Sequence, residues 1–149
     1  MQPTRAIWRK GLDLLAADTT SLGASTACKV HLFNNAASIG LDMVLTDFTE
    51  CTFTGSAALS VGTGTQPTSY DASDGVLTMD LLSPVGGFNW TCTATPSAPE
   101  TVYGYYVTDS TNAILYAAGR LPVPLTINAS GQSVLVGDIT IKYKTDAMY

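Results

Sequence analysis

The side chains in this chain with chemistry to offer are one histidine, three cysteines and a set of tyrosines. His31 is the single imidazole, so any Ser-His-Asp or Cys-His arrangement has one possible base. It sits in an alternating run beside Lys29 and reads as an ordinary strand histidine. Cys28, Cys51 and Cys92 give an odd count without C-x-x-C spacing. They read as interior thiols acting as small hydrophobes, with one bridge left open, rather than as a disulfide framework. No His/Cys cluster has zinc spacing. Asp71 with Asp74, and Asp42 with Asp47 and Glu50, are acidic groups of the kind that ordinary turns use and that calcium loops also use, but the EF-hand pattern is absent. No glycine-rich run follows a strand and opens a helix, so a phosphate cradle has no support. The expectation is no catalytic residue, no metal ligand set and no cofactor.

The aromatics allow two readings. Tyr103, Tyr105, Tyr106 and Tyr116, with Trp90, would make a stacking platform for sugar, or they fill a core and an interface. Tyrosine is enriched where one end is apolar and the other wet, which favours the second.

These side chains must be placed by strands. Residues 102–120, VYGYYVTDSTNAILYAAGR, read as a hairpin, two aromatic-rich runs around Asp109-Ser110-Thr111-Asn112. Pairing Thr108 with Ala113 puts Thr108, Tyr106, Gly104, Ala113, Leu115 and Ala117 on one face. The other face then has Val107, Tyr105, Tyr103, Ile114, Tyr116 and Ala118. Neither is polar, although a strand buried on one side alternates apolar with polar. One face belongs in a sandwich, and the other is expected against a second sheet or a sister subunit.

Around the hairpin, residues 27–33 read as a strand with Cys28, Val30 and Leu32 on one face. Residues 48–53 and 57–61 read as short strands, and Gly55 as a bend or bulge. Residues 62–74 read as a loop ending in the hairpin-type turn Asp74-Gly75, which leads into a strand over 76–82. Residues 88–93 alternate cleanly, with Phe88, Trp90 and Cys92 opposite Asn89, Thr91 and Thr93. Pro122 and Pro124 mark a corner or an edge, since proline cannot donate to a ladder. Residues 125–127 and 133–136 read as hairpin arms around residues 128–132. The last strand turns Ile139, Ile141 and Tyr143 inward, and lysines on its outer face suit an edge. Short strands with Gly, Pro, Asn and Asp between them mean an all-β fold, a single β-sandwich of jelly-roll or immunoglobulin-like type. The division is residues 1–26 as an N-terminal helix or arm with its link, and residues 27–149 as the sandwich. Residues 4–17 form the helix candidate, with Thr4 as cap and an apolar stripe led by Trp8 and Leu12.

Composition narrows the function. With 149 residues the chain is long enough to bury a proper core in one domain. Charged residues make up 13%, about half the usual share. A net charge of −5 and scattered Lys and Arg argue against nucleic acid as a partner. The cluster Arg5, Arg9 and Lys10 reads as a solvated face. No segment reaches transmembrane length, and no secretory signal is apparent, so synthesis and folding in the cytoplasm are expected, with no membrane partner.

Three groups of residues carry a resemblance. Leu32-Phe33-x-Asn35, then Asp47-Phe48-Thr49-Glu50 with Gly55, then Val102-Tyr103-Gly104-Tyr105-Tyr106-Val107-Thr108-Asp109 followed by Leu115-Tyr116-Ala117, resemble small virion structural proteins of tailed bacteriophages. The resemblance spans residues 27–120. It departs at Ser56, where an aromatic would follow Gly55, and at Ala118-Gly119 before Arg120, where a more polar ending would stand. What it implies is a non-enzymatic β-sandwich on the virus particle, made in the host cytoplasm: a capsid decoration (cement) protein, otherwise a tail component. Its partner would be the major capsid protein, and it would self-associate as a dimer or trimer. A carbohydrate-binding module of a tail or head fibre is the alternative. Contact residues on this reading are Arg5, Trp8, Leu12, Tyr103, Tyr105 and Tyr116.

Overall fold

The computed structural model describes residues 2–3, 28–40, 42–61, 67–71, 76–81, 86–109 and 111–144. Ten strands form among them: β1 (Gln2–Pro3), β2 (Cys28–Phe33), β3 (Leu59–Ser60), β4 (Pro67–Asp71), β5 (Val76–Leu81), β6 (Phe88–Thr91), β7 (Glu100–Asp109), β8 (Leu115–Ile127), β9 (Ser133–Val136) and β10 (Ile139–Lys144). They pair antiparallel in the orders β1-β8-β7-β2-β3, β10-β5-β4 and β6-β9. The fold is the expected all-β sandwich. The expected helix over 4–17 lies outside the described residues, as do Arg5, Trp8 and Leu12. At the start of the chain, Gln2 and Pro3 add a short strand to β8 opposite Ala118 and Ala117.

Alternation explains the core. Val30 and Leu32 of β2, Phe88 and Trp90 of β6, Val134 and Val136 of β9, and Ile139 and Ile141 of β10 each turn inward at every second residue. With Val102 and Val107 of β7 and Ile127 of β8 they make one apolar cluster between the five-stranded sheet and the facing strands. All three cysteines are buried, and none is joined in a disulfide. Trp90 donates its indole N–H to the Ala57 carbonyl at 3.1 Å, which satisfies its polar end inside.

The central hairpin forms with a register the simple alternation misses. Thr108 pairs with Leu115 rather than Ala113, and Val107 pairs with Ala117, leaving Tyr116 as an extra residue in β8. This bulge puts Tyr116 and Ala117 together in the sandwich cluster. Leu115 and Ala118 face the other way. A second irregularity, at Tyr103, turns that ring away from the sandwich as well.

The hairpin's second face is covered by the chain's own residues rather than by a second sheet. Residues 34–40 and 42–48 of the same chain fold back over it and bring Ala37, Met43 and Phe48 against Phe33, Tyr106 and Leu115. Short side chains hold this cover. Asn35 accepts the Thr49 N–H at 2.9 Å and donates to the Asp47 carbonyl at 2.7 Å. Arg120 reaches from β8 to the carbonyls of Ala36 and Ala37.

Three further expectations change. Residues 67–71, read as loop, form β4 and pair with β5, with Pro67 at the first position, where its missing N–H is tolerated. Residues 48–53, read as strand, make a single bridge between Glu50 and Phe33. The reason is Glu100, whose carboxylate accepts the N–H groups of Thr52 at 2.9 Å and Phe53 at 2.8 Å in place of a ladder. Residues 128–132 do not join a hairpin, because β9 pairs with β6 rather than β8. The Gln132 side chain accepts the Asn128 N–H at 2.7 Å and the Ala129 N–H at 2.9 Å, shaping a crossover between layers.

Two glycines are fixed by close approach. A Cβ at Gly55, whose φ is +108°, would lie 2.1 Å from the Thr91 carbonyl oxygen. At Gly104 it would lie 2.2 Å from the Gly119 oxygen and 2.6 Å from the Phe33 ring. Beside Gly55, the departing Ser56 is buried and donates to the Cys51 carbonyl at 2.8 Å.

Candidate functional site

The titratable cluster of greatest interest gathers around His31. On β2, Val30 and Leu32 face the sandwich, so His31 and Phe33 turn to the covered face. His31 pairs with Tyr106 on β7, and the two rings stack at 4.7 Å with 6° between planes. Its Nδ1 is 2.8 Å from Glu50 Oε1, and its Nε2 is 3.0 Å from Thr108 Oγ1. An ionised carboxylate only accepts, so Nδ1 carries the proton and Nε2 accepts from the hydroxyl while the ring is neutral. The Glu50 side chain is 47% exposed, against 4% for His31.

Hydroxyl, imidazole and carboxylate in this order are the parts of an acyl-transfer triad. Thr108, however, has no exposed surface. Its Oγ1 is enclosed by His31, the Asp109 carbonyl at 3.0 Å and Asn112 Oδ1 at 3.4 Å. No approach is left for a substrate carbonyl. What the arrangement does is join the 42–50 segment, β2 and the hairpin tip through one buried polar chain. Sequence reasoning named His31 and Glu50 separately but had no signal for Thr108, 77 positions from His31; the β2–β7 register brings them together.

Neighbouring groups are tuned by the same enclosure. Burial, then the Glu50 and Cys51 charges, hold the Tyr106 phenol above its ordinary range. Burial first, with Glu100 and Glu50 adding, pushes the Cys51 thiol up to about 12. A thiol this hard to ionise is a poor nucleophile. At the tip, burial pushes Asp109 up, but the Thr111 hydroxyl and the N–H groups of Ile114, Ala113 and Thr111 outweigh it and lower the carboxyl to about 2.

The expected contact residues separate. Tyr116 is interior, its phenol raised to about 12 by burial and by the Cys28 and Asp109 charges. Tyr105 is half-buried against the sandwich cluster and Tyr103 against the covered face. Trp90, the proposed sugar-stacking partner, is 1% exposed and offers no ring face. Asp47 accepts the Val44 N–H at 2.8 Å and Glu50 meets His31, so both acids grouped with Asp42 have protein partners. Among the described residues, no group of three or more His, Cys, Asp or Glu is placed to hold a metal ion. An open groove of about 360 Å³ runs between Thr52, Thr54 and the 95–100 segment. Its carboxylate, Glu100, is already taken by Thr52, Phe53 and Asn34. No described helix is long and apolar enough to cross a membrane.

The outer surface carries its own pattern. The outward face of the β6–β9 pair presents Asn89, Thr91, Ser133 and Leu135, with no charge among them. Thr91 and Ser133 hydroxyls meet at 3.0 Å, and Leu135 is 66% exposed. Along β8, Val123 is 75% exposed between two prolines. No family model matches the chain, and no curated protein or solved structure matches it.

Proposed function

We propose that this chain is a virion structural protein of a tailed bacteriophage, a capsid decoration protein that binds and stabilises the assembled shell. The observation that carries the reading is the uncharged outer face of β6 and β9, where the Thr91 and Ser133 hydroxyls lie beside the exposed Leu135. Charge is depleted at interface cores, and a low-charge face suits extended contact with a neighbouring protein. The resemblance in the tyrosine-rich hairpin supports the same assignment. A decoration protein stabilises by mass action, because it binds the lattice better than free subunits. Self-association would follow closed symmetry, as a dimer or trimer.

The test is co-sedimentation of the purified chain with capsid shells lacking it. The wild type is expected to pellet with shells, and Leu135→Glu, which leaves the core untouched, to lose about tenfold or more in affinity by placing a charge in the contact. Equal binding by both would overturn the assignment of this face. No binding by either would overturn the decoration role.

A further inference from the structure

We propose that His31 is a proton-operated relay, coupling the 42–50 segment to the hairpin tip through the Thr108 hydroxyl. The polar chain runs Glu50 Oε1, His31 Nδ1 and Nε2, Thr108 Oγ1, then the Asp109 carbonyl and Asn112 Oδ1. Every link is within hydrogen-bond distance, and the middle of the chain is buried.

The Thr108 hydroxyl has one hydrogen and three possible acceptors. With His31 neutral, Nδ1–H donates to Glu50 and the hydroxyl donates to Nε2. When the ring gains a proton at Nε2, Nε2–H must donate to Thr108 Oγ1. The hydroxyl hydrogen then turns to the Asp109 carbonyl, 3.0 Å away, with Asn112 Oδ1 at 3.4 Å as second acceptor. That carbonyl already closes the hairpin turn by accepting the Asn112 N–H at 3.1 Å. Asn112 itself stands at φ 59°, a conformation that few residue types tolerate. A second donor on this carbonyl therefore acts on the tightest point of the turn. Both protonation states are fully hydrogen-bonded, so the ring can switch without unfolding the sheet.

The groups facing His31 from each element do not mask this switch. Tyr106, stacked on the ring from β7, is held protonated by burial and by Glu50. Asp109, beside Thr108, stays ionised down to about pH 2. Cys51, next to Glu50, is held as the thiol. Lys29, on the same strand, pairs with Thr108. Glu50 is the direct partner and belongs to the relay. Imidazole is the side chain whose ordinary titration falls between about pH 5 and 8.

The test is a pH titration of the labelled protein by NMR, following the His31 ring and the Asn112 and Ile114 amides. The tip amides are expected to move with the same midpoint as the ring. In Thr108→Val the ring is expected to titrate while the tip stays still, and Thr108→Ser is expected to keep the coupling. If Thr108→Val does not fold, coincidence of midpoints in the wild type and in Thr108→Ser decides. Tip amides that stay flat through the ring titration, that keep full amplitude in Thr108→Val, or a ring that does not titrate in the folded protein, would overturn the relay.

Discussion

The ring of Phe48 lies 5.1 Å from that of Tyr106, with 18° between their planes. This stack closes the second face of the central hairpin with the chain's own residues 34–40 and 42–48. Both apolar faces of the hairpin are therefore packed within the chain. Phe48→Ala is expected to cost about 3 kcal/mol, the range for truncating a buried phenylalanine. It should also raise binding of a hydrophobic dye in the native baseline. Urea unfolding checks the first and dye fluorescence the second. A loss below about 1 kcal/mol would mean that the cover contributes little.

Glu100 replaces a strand partner for residues 52 and 53. Its carboxylate accepts both N–H groups and the Asn34 amide at 2.5 Å. Glu100→Gln keeps the shape but turns an NH2 toward donors. The expected cost is about 1–3 kcal/mol, with faster hydrogen exchange at Thr52 and Phe53 than at β7 amides. Unchanged exchange at those two amides would contradict the role given to Glu100.

The pH profile has two limbs with opposite signs. Asp109 is lowered from 3.8 to about 2, so its contribution is present above 3.8 and is lost as pH falls through about 2. Cys51 and Tyr116 are raised from 9.0 and 10.0 to about 12, so theirs is present below those ordinary values and is lost as pH rises toward 12. Melting temperature should fall as pH drops from 3.8 toward 2 and as it rises from 9 toward 12. The penalty of Asp109→Asn should be largest near neutrality and shrink toward pH 2. A penalty independent of pH would contradict the turn geometry.

Much of the fold was legible in single residues. Phe88, Trp90 and Cys92 alternate with Asn89, Thr91 and Thr93, and the structure buries the first three. Cys28, Val30 and Leu32 behave likewise. What alternation cannot register is an inserted residue. The bulge at Tyr116 moves Ala117 and Ala118 to opposite faces from those a regular ladder gives them. Nor does local pattern reveal a side chain standing in for a strand, as Glu100 does for residues 52 and 53. The strand over 67–71 was hidden because Pro, Thr, Ser and Asp favour turns locally, and pairing with β5 overrides that preference. For the His31 cluster, the residue types were visible and their meeting was not. It depends on β2 lying beside β7, which is a long-range pairing.

The central claim is that this sandwich coats an assembled shell. For this proposed role, cryo-electron microscopy of purified particles of the virus that encodes the chain is the most direct test. The expected result is sandwich-shaped density bound across neighbouring capsid subunits, with the β6–β9 face and Leu135 in the contact. Density for the chain only in the tail, or its absence from the particle, would contradict the claim.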